Sequence, residues 1–175
     1  MLRKCLDRLY VGGGAIASLL IALICVLVCT QVLFNLITKL GLLSFNLTIP
    51  SYADFAGYLL SAASFLALAY TLNQGGHIRV NLLLARLNKP STLAAEIFSF
   101  SISAAVSAIA TYYMALLCLE SHEFGDLSPG IVPVPIWIPQ SIVVLGLAML
   151  TIALFDILIR TIVQRTPVFE NQNYE

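Results

Sequence analysis

Eight of the nine lysines and arginines fall in alternate stretches of the chain, and this spacing constrains the fold more than any other feature. Arg3, Lys4 and Arg8 precede an uncharged stretch from Leu9 to Thr38. Arg79, Arg86 and Lys89 separate a second apolar stretch from a third, and Arg160 and Arg165 follow a fourth. Lys39 alone lies in the other set. Loops on the cytoplasmic side of a bilayer retain Lys and Arg, so this alternation reads as four crossings with both termini in the cytoplasm. The expected fold class is therefore all-α, a polytopic membrane protein. Its four transmembrane helices are expected over about residues 9–38, 52–73, 92–119 and 136–160. They make one domain over residues 1–165, with a short interfacial helix over 76–89 between the second and third spans and a loose cytoplasmic tail over 166–175.

Composition agrees with this reading. Hydrophobic residues make up 59% of the chain and charged residues 10%, against roughly 25% charged in a soluble domain. Formal net charge is zero, so no basic face exists for nucleic acid. The first apolar stretch is too long for a signal-peptide core and lacks a small-residue cleavage site, so it is expected to be retained. The four cysteines do not make a redox pair. Cys5 and Cys118 belong to opposite ends of the bundle, and Cys25 and Cys29 stand side by side on one helix face, where their side chains do not point at each other.

Along the chain, small residues mark expected helix-packing faces: Gly14, Ser18 and Ala22 in the first span, and Ser99, Ser103 and Ser107 (with Thr111) in the third. Gln31 and Asn35, one turn apart, are expected to be interhelical or interfacial hydrogen-bonding groups. Ser51 followed by Asp54 reads as a capping box at the start of the second span, and Gly75-Gly76 as its stop. Asp156 is expected to pair with Arg160. Trp137 suits the interfacial belt, and Pro133, Pro135 and Pro139 keep the approach to the fourth span extended until the helix takes over near Ile136 to Gln140.

Few constellations with chemistry survive inspection. His77 and His122 lie on opposite sides of the bilayer and cannot share a metal, whereas zinc and haem need converging ligands. No span carries a central charge or a Gly/Pro break of the kind that ion-coupled carriers use. Glu96 comes closest, about one turn inside the cytoplasmic end of the third span. No catalytic residue, substrate site, metal or cofactor is expected. The outer acids Asp54, Glu120, Glu123 and Asp126 are candidates for docking a soluble partner, with plain solvation as the alternative. The inner loop Gly75-Gly76-His77-Ile78-Arg79-Val80-Asn81-Leu82-Leu83-Leu84-Ala85-Arg86-Leu87 is the most distinctive string. As a helix it sets Arg79 and Arg86 on one face and His77 and Asn81 on another. Gly75, Gly76, His77, Arg79, Asn81 and Arg86 are thus candidates for contact with a partner subunit or with lipid phosphates.

That string resembles the signature of the small membrane subunit of tripartite ATP-independent periplasmic (TRAP) transporters. Gln31-Val32-Leu33, the run Ile49-Pro50-Ser51-Tyr52-Ala53-Asp54, and the segment from Ser128-Pro129 to Pro135 also resemble the family pattern. The chain departs from it at Tyr52, where tryptophan is common, at the single Asp54 in place of paired acids, at Asn81 in place of aspartate, and at Asn35, near a family arginine. The resemblance implies a multi-pass protein of the bacterial inner membrane with three kinds of partner: a large elevator-type subunit, a periplasmic substrate-binding protein and membrane lipids. It further implies a non-catalytic subunit that packs beside the large subunit's scaffold in a sodium-coupled importer of organic acids. A stand-alone four-helix membrane redox protein or enzyme is the alternative.

Overall fold

The structure, a computed structural model, describes residues 2–41, 47–74 and 89–164. Four helices account for nearly all of them: α1 (Leu2–Lys39), α2 (Tyr52–Asn73), α3 (Lys89–Phe124) and α4 (Trp137–Gln164). Each is long and apolar enough to cross a membrane. The expected interfacial helix at 76–89 and the tail at 166–175 fall largely or wholly outside the described residues.

Three of the helices, α1, α3 and α4, overrun the stretches that hydropathy marks. At 1.5 Å per residue, α1 with 38 residues is about 57 Å long and α3 with 36 is about 54 Å. The 22 residues of α2 make about 33 Å, close to a hydrocarbon core of about 30 Å. Local chemistry sets these ends. α2 cannot start earlier because Pro50 and a left-handed Ser51 precede it, and it stops where the Gln74 N–H folds back to the carbonyls of Tyr70 and Leu72. Pro90 and Pro139 sit in the first turns of α3 and α4, where no intrahelical donor is needed.

Packing runs in a row: α1 on α2, α2 on α4, and α4 on α3. The inner pair meets most closely at Gly146. A Cβ there would come 2.6 Å from the Phe65 carbonyl carbon, so only glycine lets the two backbones approach. On the other side of α2, Gly13 faces the Leu66 carbonyl and Gly14 lies against the Tyr70 ring. Where α1 begins and α4 ends, all four helices contribute to one cluster: Tyr10, Ala69, Leu72, Ala104, Ala153, Leu154 and Ile157. This is the terminal end of the bundle. The opposite end, where α1 and α3 finish and α2 and α4 begin, carries two connections and forms the cap end.

Candidate functional site

The cap end is built from one polar residue buried near the end of α1. Gln31 is only 3% exposed. Its amide nitrogen donates to Asn35 Oδ1 (3.0 Å), and its Oε1 accepts from the Ile49 N–H (2.8 Å). The expected hydrogen-bonding pair is present, but its outward reach is to loop backbone, not to another helix. A buried amide with both ends satisfied fixes the route of the chain into α2.

That route delivers Ser51 in a left-handed conformation, φ 57° and ψ 23°, which costs a non-glycine residue roughly 1–2 kcal/mol. The expected capping box is not formed, since Ser51 makes no side-chain cap hydrogen bond. Its Oγ instead accepts from the Val132 N–H (3.0 Å), 81 residues further on. The backbone carbonyl of Ser51 still receives the Phe55 N–H (3.1 Å), so α2 begins normally. Asp54, in the first turn, complements the exposed amides of the helix start. Its carboxylate also lies against Gly130, where a side chain would collide with Asp54 and with Ser51 Oγ.

The α3–α4 connection is itself braced. Leu127 and Pro135 form an antiparallel bridge. The Ser128 N–H donates to the Val134 carbonyl (2.9 Å) and the Ile136 N–H to the Asp126 carbonyl (3.0 Å). Ser128, buried, also accepts the Val134 N–H at its Oγ (3.1 Å). At the connection's base the His122 and Trp137 rings meet edge to face, with centroids 5.0 Å apart. The two connections of the cap end are thus tied into one platform through Ser51 and Val132.

Of the residues singled out from the sequence, Asp54, Glu120, Glu123 and Asp126 all stand exposed at this end, on or beside the platform. Gly75, Gly76, His77, Arg79, Asn81 and Arg86 lie outside the described residues. The small residues divide. Gly14 and Ser107 are buried, whereas Ser18, Ala22, Ser99 and Ser103 are exposed. The reason is geometric: a four-residue step overshoots a helical turn by about 40°, so a stripe from Ser99 to Thr111 swings through about 120°. Only its last members face α4, where Ser107 and Thr111 meet Thr151 Oγ1 at 2.8 and 3.0 Å. Thr151 escaped the sequence reading because a lone threonine in an apolar stretch carries no periodic signal.

At the terminal end Asp156 and Arg160 form the expected ion pair, and Glu96 is buried. Between the two ends, α1 carries no Asp, Glu, Lys or Arg from Leu9 to Thr38, α3 none from Ile97 to Leu119, and α4 none from Trp137 to Phe155. Among the described residues no three His, Cys, Asp or Glu side chains are grouped to hold a metal. The spans thus present hydroxyls returned to their own helices, as Ser18 to the Gly14 carbonyl, or shared between α3 and α4 at Thr151, and a platform at one end.

A family model, described as the DctQ component of tripartite ATP-independent periplasmic transporters, matches residues 24–164. The chain belongs to the DctQ family. It is thus the small membrane subunit of a TRAP transporter, a multi-pass protein whose system includes a large membrane subunit and a binding protein. Neither the curated proteins nor the solved structures gave a match.

Proposed function

We propose that this small subunit is a non-catalytic frame in a sodium-coupled importer of organic acids of the bacterial inner membrane. It packs beside the scaffold of the large elevator-type subunit and stabilises it, with both termini cytoplasmic and the cap end facing the periplasm. The observation that carries this reading is the absence of charge from the middle of the described helices. Sodium and carboxylate coupling require ionisable groups or broken helices at membrane depth, so that chemistry belongs to the partner. An elevator works against a fixed wall, and long, little-buried helices at both edges of the row supply one.

The inner segment 76–89, with Arg79 and Arg86, is assigned to the partner or to lipid phosphates, and the acids of the cap end to the binding protein. Co-expression with the large subunit tests the first assignment. Wild type co-purifies with it, and Arg79→Ala or Arg86→Ala lowers the yield of complex or its uptake. Unchanged assembly and transport in both variants leaves only lipid anchoring. For the second assignment, charge reversal at Asp54, Glu120, Glu123 and Asp126 slows association of the binding protein about tenfold at low salt, an effect that high salt removes. Unaltered association rates reject it.

A further inference from the structure

Ile131 is the most exposed large apolar side chain among the described residues, at 83%. It lies midway along the connection between Phe124 and Trp137, outside both helices. Its two neighbours are pinned. Gly130 rests against Asp54 and Ser51, and the Val132 N–H is held by Ser51 Oγ. A serine kept left-handed, its hydroxyl withdrawn from capping its own helix, therefore fixes the backbone on both sides of an apolar side chain that touches almost nothing in this chain. A left-handed residue that braces two connections also fixes what the brace presents, and strained positions of this kind cluster at functional sites.

We propose that Ile131 is an apolar anchor for the soluble binding protein, and that Ser51 is the positioning residue that presents it. This rests on the reading that the binding protein meets the cap end. The surroundings select such an occupant. Asp54 adjoins Gly130, and Asp126, Glu123 and Glu120 lie along the same connection and the helix end that leads into it. An anionic rim is unfavourable beside lipid phosphates and complementary to a protein face whose apolar pocket is ringed by Lys or Arg. A rigidly held aliphatic group within a charged rim is the arrangement in which one side chain contributes a large share of affinity.

The test uses the complex of both membrane subunits in nanodiscs and measures its affinity for the purified binding protein. Ile131→Ser weakens binding about tenfold, mainly through faster dissociation. Ser51→Ala weakens it about threefold, and Ser51→Asn, which tolerates the left-handed backbone and keeps a side-chain oxygen to accept from the Val132 N–H, restores much of it. Because Ser51 acts through Ile131, the double variant Ser51→Ala with Ile131→Ser is no weaker than Ile131→Ser alone. Full affinity in Ile131→Ser, while the wild-type complex binds normally, overturns the proposal and leaves the docking reading intact. Absence of binding by the wild-type complex overturns both. In a background freed of the four native cysteines, a fluorophore at Ile131→Cys reports an aqueous environment until the binding protein is added. A lipid-like signal without it makes the membrane the occupant and also overturns the proposal.

Discussion

The inner pair of helices and the edge pair have similarly apolar sequences but opposite relations to the rest of the chain. In α2 and α4, 28% of the most apolar window is buried, and in α1 and α3 only 11%. The inner helices are also shorter, 22 and 28 residues against 38 and 36. A lipid bilayer gives no hydrophobic reason to bury Leu and Val. What separates the pairs is therefore close packing and hydrogen bonding: Gly146 against the Phe65 backbone, Gly14 against Tyr70, and the Ser107–Thr151–Thr111 hydroxyls. The inner pair holds the subunit together. The edges keep broad apolar faces for lipid or for a neighbour.

Substitutions sharpen this contrast. The largest effect is expected at the inner contact, where Gly146→Leu abolishes the folded subunit in detergent. Gly146→Ala costs about 1–3 kcal/mol, because the atoms it meets are backbone and cannot move aside. At the junction of edge and inner helix, Gly14→Ala costs about 1 kcal/mol, since the Tyr70 ring must shift. Thr151→Val removes the hydroxyl shared by Ser107 and Thr111 and costs about 0.6 kcal/mol. Denaturant titration followed by circular dichroism reads all three. The smallest effects belong to the edges. Leu19→Ala and Val106→Ala change the stability of the isolated subunit by less than about 0.5 kcal/mol, yet lower its recovery with the large subunit. If edge and inner substitutions are equally damaging to the isolated chain, the division between frame and contact face is wrong.

The four long apolar helices were legible because charge is excluded from a bilayer and its positions survive in the sequence. Helix ends were less so. Hydropathy marks where the membrane is, whereas α1 and α3 continue until local chemistry stops them. Gln31 stood out as an amide in an apolar run, but nothing near it announced that its acceptor oxygen would hold Ile49. Ser51 misled for a similar reason. Ser-x-x-Asp before an apolar run has the form of a helix cap, and the competing claim on its hydroxyl comes from Val132, 81 residues away. The small-residue stripes were read as faces, but a four-residue repeat drifts around the helix. Only Ser107 among the three serines, and Gly14 in α1, reach a buried position.

The central claim is that this bundle has no means of coupling ions and works only as the companion of a larger subunit. The most direct measurement reconstitutes the purified chain in liposomes under an inward sodium gradient and follows uptake of organic acids presented with the binding protein. The account predicts no accumulation by this chain alone and accumulation when the large subunit is included. Sodium-driven accumulation by the chain alone would contradict it.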